Sequence, residues 1–88
     1  MRSRAYNLGM YKVYILKSLV DGSFYTGVTE DLIARLRAHN SGTSKYSSSK
    51  RPFEIVWHCC FKNKIMALKF EKYLKQGSGF AFARKHLI

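Results

Sequence analysis

The sequence predicts a small α+β domain of three strands and three helices. Segments rich in β-branched and aromatic residues predict the strands, at residues 11–19, 24–28 and 53–61. Segments with helical apolar spacing predict the helices, at residues 30–40, 63–76 and 80–87. Because 88 residues suffice for one modest core but not for two, we expect a single domain at residues 11–88, preceded by a flexible basic arm at residues 1–10.

The composition predicts a folded protein with a polyanionic partner. Apolar residues make up 47% of the chain and the formal net charge is +11. A charge this high opposes compaction, which suggests that a polyanion, either nucleic acid or an anionic membrane surface, balances it. No apolar run approaches the roughly 20 residues that span a bilayer, and no apolar signal core follows Arg2 and Arg4. We therefore expect nucleic acid as the partner and no membrane association.

The two cysteines, Cys59 and Cys60, indicate a reducing compartment. Neighbouring residues in the chain make a poor disulfide pair, and the sequence has no CxxC spacing that would suggest a zinc site. We expect reduced thiols and a cytoplasmic location.

The first two strands form a predicted hairpin. Asp21-Gly22 favours a two-residue type I′ turn, because both positions of that turn need positive φ. Any loop with an even number of residues places Tyr14 and Tyr25 on the same face of the sheet. The two-residue loop would pair Tyr14 with Thr29, roughly 13 Å along the strand from Tyr25. An irregularity is therefore needed to bring the two hydroxyls together.

The first helix carries two basic side chains beside its apolar stripe. Thr29 is the predicted N-cap, followed by two acidic residues that suit the positive end of a helix. Arg35 and His39 are one helical turn apart, so they lie together on one shoulder of the stripe. The predicted stripe consists of Leu32, Ile33 and Leu36.

The third strand and second helix both have clear apolar faces. Alternation places five side chains on one face of the strand: Phe53, Ile55, Trp57, Cys59 and Phe61. Asn63 is a suitable N-cap for a helix that ends near Gln76, and Gly77-Ser78-Gly79 predicts a break before the third helix. The predicted apolar arc of the second helix consists of Met66, Ala67, Phe70, Tyr73 and Leu74.

Of the five acidic residues, only Glu71 has no evident structural duty. Two interpretations of this side chain are open. It can form an ion pair with Lys75, four residues later on the same helix, or it can bind a metal ion. Spacing alone favours the ion pair.

The two strand tyrosines, Arg35 and His39 suggest phosphate chemistry. A phenol has an ordinary pKa near 10, which neighbouring cations can lower towards the range of a general base. The Arg35 guanidinium offers a planar fork for phosphate oxygens, and His39 can act as a base, an acid or a hydrogen-bond donor. The alternatives are that Tyr14 and Tyr25 are core or stacking residues, that Arg35 is a solvated helix charge, and that His39 interacts with the helix dipole.

Together these residues resemble the signature of the GIY-YIG nuclease superfamily. More narrowly, they resemble its stand-alone single-domain members, which are similar to the N-terminal catalytic domain of the excision-repair endonuclease. The resemblance covers residues 11–88. It rests on an ordered set: Val13-Tyr14-Ile15, Tyr25-Thr26-Gly27, Leu32, Arg35, Leu36, His39, Asn40, Arg51-Pro52, Ala67 and Glu71 to Lys75. Val13 stands where the family name has Gly, and Thr26 where it has Ile. Both departures lie beside the tyrosines and leave them in place.

The resemblance implies one three-stranded antiparallel sheet with flanking helices and a metal-dependent endonuclease acting on nucleic acid, with DNA favoured. It implies one divalent ion, Mg²⁺ or Mn²⁺, at Glu71. Tyr14 and Tyr25 would line the site, one of them activating or positioning the attacking water. Arg35 would stabilise the transition state and His39 would assist proton movement. Seven residues would hold the nucleic acid: Lys45, Tyr46, Lys50, Arg51, Lys69, Lys72 and Lys75.

Two other functions fit the same composition. The chain can be a nucleic-acid-binding module that kept the fold without cleaving, or a structural component of a ribonucleoprotein. The sequence leaves open the choice of DNA or RNA, the preferred substrate structure, and which tyrosine is the base. It also leaves open the oligomeric state, a partner protein that supplies targeting, Met10 as the native start, and a pathway such as repair or recombination.

Overall fold

The structure of the chain is a computed structural model that describes residues 10–41 and 48–88. It confirms the predicted α+β class. The elements are β1 (Tyr11–Ser18), β2 (Phe24–Thr29), α1 (Leu32–Ser41), a 3₁₀ turn (Ser48–Lys50), β3 (Phe53–Phe61), α2 (Lys64–Lys75) and α3 (Gly77–His86). The predicted basic arm, apart from Met10, lies outside the described residues. Within the described part of the chain, no helix combines the length and apolarity needed to cross a membrane.

The three strands form one antiparallel sheet, as expected, and their order in the sheet is β2-β1-β3. The central strand β1 is covered on both faces, which explains why four successive residues, 13–16, are buried. Because side chains alternate along a strand, Val13 and Ile15 enter one core cluster and Tyr14 and Leu16 enter another. The sheet therefore separates two distinct interiors.

The hairpin between β1 and β2 is longer than the sequence predicts. The prediction of a two-residue turn at Asp21-Gly22 was wrong, because residues 19–22 form a four-residue loop. The Ser18 N–H donates to the Ser23 carbonyl at 2.8 Å, and the Gly22 N–H donates to the Ser18 carbonyl at 2.9 Å. Gly22 has φ of 74°, a conformation that favours glycine. The loop still has an even number of residues, so the tyrosines keep a common face. Tyr14 now pairs with Gly27 and not with Thr29.

An irregularity in β3 divides its predicted apolar face in two. Ile15 pairs with Trp57 but Leu16 pairs with Ile55, so Val56 is an extra residue in the ladder. Such a bulge reverses the side-chain alternation beyond it. Phe53 and Ile55 therefore pack with Tyr14 and Leu16, whereas Trp57, Cys59 and Phe61 pack with Val13 and Ile15. The prediction of one common face was wrong, because a bulge leaves no mark on an alternating sequence.

Helix α1 covers the face that contains Tyr14. Its Leu32 and Leu36 pack against the Tyr14 cluster, but Ile33 is 56% exposed and was wrongly placed in the stripe. The N-cap also differs from the prediction. The Asp31 carboxylate accepts the Ala34 N–H at 3.0 Å, so Asp31 caps the helix, while Thr29 Oγ1 accepts the Asp31 N–H at 3.1 Å.

Helices α2 and α3 cover the opposite face, with Ala67, Leu74 and Ala83 buried against β1. Asn63 caps α2 as predicted, accepting the Met66 N–H at 3.1 Å, although the Met66 and Tyr73 side chains of the predicted arc are exposed.

The predicted break between these helices is at Gln76, and residues 77–79 already form the first turn of α3. Gly79 is buried here, and a Cβ at this position would collide with the Tyr73 carbonyl, so glycine is needed for this approach. This close approach sets α3 directly against the end of α2.

Candidate active site

Tyr14 lies at the centre of the candidate site. Its side chain is fully buried, and its phenol ring lies against the backbone of Gly27 on the neighbouring strand. A Cβ at Gly27 would be 2.7 Å from Tyr14 Cζ and would collide with the hydroxyl. Sequence reasoning gave Gly27 no role beyond its place in a motif, although a glycine inside a strand often marks a close approach of this kind.

Four rings from four elements, Tyr14 among them, form a cluster. The Tyr14 ring centroid is 6.4 Å from that of Tyr25 in a stacked arrangement and 6.4 Å from that of His39. Tyr25 and His39 are closer, with centroids 4.6 Å apart and planes at 62°. The ring of Phe53 also packs against His39, with the two centroids 5.7 Å apart. The two strand tyrosines and the helix histidine of the predicted site are therefore brought together.

His39 is a buried, neutral imidazole in this environment. It is only 1% exposed, and its Nε2 is 3.5 Å from the Tyr14 hydroxyl. Burial, assisted by the positive charge of Arg35, lowers the pKa of His39 below its ordinary value of 6.5. A neutral ring can accept a proton. It does not fit the alternative in which a charged histidine stabilises the C-terminal end of the helix dipole.

The pKa of Tyr14 moves in the direction opposite to the expectation for a general base. Burial raises it to about 12, and the Arg35 charge and hydrogen bond only partly offset that effect. Cations were expected to lower the pKa of this phenol towards the range of a base, but desolvation of the phenolate outweighs them. Tyr14 is therefore a neutral hydrogen-bond donor at physiological pH.

Arg35 connects the buried cluster with solvent. It is exposed on α1, one turn before His39, and its guanidinium acts on the ionisation of both Tyr14 and His39. It also lines a cavity of about 360 Å³, whose other lining residues include Lys64 of α2 and the two acidic residues before α1, Glu30 and Asp31. Arg35 thus has a position from which its fork can meet a phosphate that enters from solvent.

Glu71 lies on α2, the helix on the other face of the sheet from α1, and it forms the predicted ion pair with Lys75. Its Oε2 is 2.8 Å from Lys75 Nζ, and its side chain is only 19% exposed against 54% for the lysine. Burial is the main cause of the raised pKa of Tyr14, and the Glu71 carboxylate adds to it in the same direction. The carboxylate is therefore within electrostatic range of the Tyr14 hydroxyl, so the two interpretations of Glu71 are compatible.

The donor set at Glu71 fits a hydrated hard cation better than a protein cage. Among residues 10–41 and 48–88, no group of three or more His, Cys, Asp or Glu side chains is placed to hold a metal ion. Mg²⁺ accepts such an arrangement, because it retains several waters and is bound through one or two carboxylates plus substrate phosphates. Glu71 can supply that single carboxylate.

The predicted nucleic-acid contacts are spread over several surfaces. Lys50 Nζ is 3.2 Å from Asp21 Oδ2 at the hairpin. Hydrogen bonds from Ser23, together with Lys50, keep the pKa of that carboxyl well below its usual range. Arg51 is exposed beside it, Lys69 and Lys72 are exposed on α2, and Lys75 lies at Glu71. Lys45 and Tyr46 lie outside the described residues. Of the predicted contacts that the structure describes, only Lys75 is thus paired with a residue of the candidate site.

Asn40 has a positioning role that the sequence did not reveal. Its side chain accepts the Phe53 N–H at 2.6 Å and donates to the Phe53 carbonyl at 3.1 Å. These two bonds join the end of α1 to the first residue of β3, and the Phe53 ring contacts His39. In the sequence Asn40 indicated only a helix end, because its partner is 13 residues away.

Comparisons with known proteins identify the family and fold of this chain. The sequence model of a family described as the GIY-YIG catalytic domain matches residues 10–84. A UPF0213 protein of Bacillus pumilus is 46% identical over 63 residues, which are 70% of this chain and 63% of that protein, so the match spans less than two thirds of its length. A UPF0213 protein of Staphylococcus epidermidis is 44% identical over 64 residues, covering 72% and 77% of the two chains. The solution NMR structure of a UPF0213 protein from Bacillus halodurans has a TM-score of 0.54 at 32% identity, covering 89% of this chain and 86% of that one.

Proposed function

Because this chain belongs to the GIY-YIG catalytic domain family, we propose that it is a metal-dependent endonuclease that hydrolyses phosphodiester bonds, with DNA as its substrate. Members of this family are usually endonucleases and generally use a divalent metal, whereas the name UPF0213 states no activity. One observation carries the proposal: the buried Tyr14 hydroxyl lies 3.5 Å from His39 Nε2, the Tyr14 and Tyr25 ring centroids are 6.4 Å apart, and Arg35 and Glu71 are near enough to act on the pKa of Tyr14. These side chains come from two strands and two helices that are distant in sequence, which is typical of a catalytic site.

The charged residues divide the work on the phosphate between them. Glu71 would hold one divalent ion, Mg²⁺ or Mn²⁺, which when bound supplies Lewis-acid stabilisation to a phosphate oxygen. Arg35 would place its guanidinium against the other oxygens, where negative charge increases in the transition state. Lys75, which shares the Glu71 carboxylate, would then contact the nucleic-acid backbone near the cleaved bond.

The aromatic residues divide the handling of the proton. Tyr14 retains its own proton because burial raises the pKa of this phenol to about 12, so it would donate a hydrogen bond to the attacking water or to a phosphate oxygen. The neutral imidazole of His39 can accept a proton, and the ring of Tyr25 packs against it with the two centroids 4.6 Å apart. We therefore assign proton acceptance to the Tyr25–His39 pair and orientation to Tyr14.

A nicking assay tests this function. Purified protein is incubated with single-stranded, duplex, flap and branched DNA in Mg²⁺ or Mn²⁺, and we expect cleavage that a chelator abolishes. Glu71→Ala should reduce the rate by at least about 10³-fold, because the proposed mechanism relies on this one carboxylate for the ion. Glu54→Ala is the matched control, since Glu54 is an exposed carboxylate on β3 outside the cluster, and it should cleave normally. Equal rates in the two variants would contradict the proposal.

The second candidate is a nucleic-acid-binding module without catalysis. The closed Glu71–Lys75 ion pair favours it, because a carboxylate already neutralised at 2.8 Å has less need of a metal ion. It predicts strongly salt-dependent binding that Glu71→Ala leaves unchanged, with no chelator-sensitive cleavage of any substrate. A cytoplasmic location and a partner that supplies targeting stay predictions under both functions.

A further inference from the structure

A second cavity adjoins the catalytic cluster without belonging to it. It has a volume of about 370 Å³ and lies between β2 and the helices α2 and α3, lined by Phe24, Tyr25, Thr26, Leu74, Lys75 and Phe80. Tyr25 is one of the clustered rings, and Lys75 forms the ion pair with Glu71. The proposed chemistry uses neither Phe24 nor Phe80. A group held in this cavity would therefore lie beside the Glu71–Lys75 pair, which is proposed to hold the metal ion and the cleaved phosphate.

Two exposed aromatic rings form a wall of the cavity. The ring centroids of Phe24 and Phe80 are 6.3 Å apart with their planes at 61°, and the two side chains are 36% and 37% exposed. The Arg84 guanidinium lies 5.9 Å from the centre of the Phe80 ring. Exposed rings beside cations are the surface on which unpaired nucleobases stack, since every base offers a flat face and every nucleotide a negative charge.

The charges around the cavity select a nucleotide over an apolar peptide. Lys75 lies in its wall, Arg84 stands over Phe80, and the last turn of α3 carries Arg84, Lys85 and His86. Helix α3 contains no acidic residue. The volume of the cavity falls within the range of cavities that hold small organic groups, roughly 300–1,000 Å³. A flat apolar wall with a cationic margin matches a base that is attached to a phosphate.

We propose that this cavity binds the unstacked nucleobase of the nucleotide next to the cleaved phosphate. The proposal rests on the endonuclease function and extends it from the phosphate to the base beside it. Phe80 and Phe24 supply the stacking surface, and Lys75 and Arg84 contact the phosphate that carries the base. The consequence is a preference for strands in which the base at this position is unpaired or can leave its helix.

An abasic scan tests this site directly. A fluorescently labelled single-stranded DNA is made in versions that each lack one base but keep every phosphate, and affinity is measured by anisotropy in a chelator, which prevents cleavage. We expect one position at which loss of the base weakens binding by about 5- to 150-fold. The same position should adjoin the bond that is cleaved when Mg²⁺ is supplied.

Phe80→Ala and Phe82→Ala make the scan specific to the cavity. Phe82 is on the same helix and is 40% exposed but does not line the cavity, so it is the matched control. In Phe80→Ala the penalty for the missing base should disappear, whereas in Phe82→Ala it should persist, because only the first variant removes the stacking partner. If Phe80→Ala does not fold by circular dichroism, Phe24→Ala carries the same test from a different element.

The outcomes separate the two proposals. A uniform response along the strand, or equal effects of Phe80→Ala and Phe82→Ala, would overturn the base site. A position-specific penalty in a protein that cleaves no substrate would contradict the endonuclease function and leave base binding intact. Normal cleavage without any position at which the missing base weakens binding would contradict the base site and leave the endonuclease function intact.

Discussion

The two faces of the sheet are built from the same strand and yet have opposite character. The face under α2 and α3 is aliphatic at its centre, with Val13, Ile15 and Leu74 fully or almost fully buried. The face under α1 buries the Tyr14 hydroxyl and the His39 imidazole beside Leu16. Burying a polar group costs roughly 1–3 kcal/mol when its hydrogen bonds are imperfect, and the Tyr14–His39 contact is a long one at 3.5 Å.

This difference shows where stability and function are located. Aliphatic residues could have filled both faces, so a buried phenol and imidazole on one face are better explained by chemistry than by packing. The aliphatic core under α2 and α3 should therefore control the free energy of unfolding, and the aromatic cluster, together with Glu71 of α2, should control the rate of cleavage. Variants on adjacent residues of β1 test this separation.

The largest expected effect on stability is that of Ile15→Ala. Ile15 is 2% exposed in the apolar cluster, and truncation there should lower the free energy of unfolding by about 2–5 kcal/mol. The rate per folded molecule should stay within a factor of about two, since Ile15 belongs to the aliphatic cluster and has no proposed role in the chemistry. Chemical denaturation and active-site titration measure the two quantities. Ile15→Val, with a smaller expected loss of about 0.5–1.5 kcal/mol, serves if the first variant is unfolded.

Tyr14→Phe should show the opposite pattern at the neighbouring position. Removing the hydroxyl eliminates the hydrogen bond from a phenol whose pKa is raised to about 12, and we expect cleavage to slow by about 10²-fold. The free energy of unfolding should change by less than about 1 kcal/mol, because the ring remains and one buried polar atom is lost. A variant that cleaves normally, or one that loses several kcal/mol of stability, would show that the two faces are not functionally distinct.

The pH dependence should give the smallest effect. Burial lowers the pKa of His39 below 6.5, so the unfolded chain binds more protons than the folded protein between the folded pKa and 6.5. The free energy of unfolding is then highest above pH 6.5. It decreases as the pH falls from 6.5 through the folded pKa of His39, with no further loss from this group below that pKa. The cleavage rate should also fall at low pH as His39 is protonated, which gives its pH profile an acid limb. It should stay level through about pH 7–9, because Tyr14, with a pKa of about 12, does not ionise there.

His39→Gln identifies the group responsible for this acid limb. The variant should cleave slowly with no acid limb of this origin, while a variant of the exposed His58 on β3 should behave as the wild type. A limb with a midpoint above pH 6.5, or one that persists in His39→Gln, would assign the proton acceptor to another group.

The sequence was informative wherever a local period decided the outcome. Alternation along β1 places Tyr14 and Ile15 on opposite faces, and an even loop keeps Tyr14 and Tyr25 together whatever its length. The helical period puts Arg35 and His39 on one side of α1. The Asn63 cap is equally local, since its partner is three residues away. These features depend only on backbone geometry that nearby residues share.

Tertiary structure decided what depends on distant partners. The four-residue hairpin loop is held at Ser18, whose hydroxyl donates to the Lys50 carbonyl at 2.6 Å, 32 residues away. The bulge at Val56 and the Asn40–Phe53 bonds likewise join segments that are separate in sequence. The pKa of Tyr14 was misjudged for the same reason, because neighbouring charges can be anticipated from a helical wheel but desolvation cannot. Sequence by itself determined which side chains share a face wherever the strand pairing is regular, as it is between β1 and β2. Only packing determined how deeply they are buried, and burial sets which of them holds a proton.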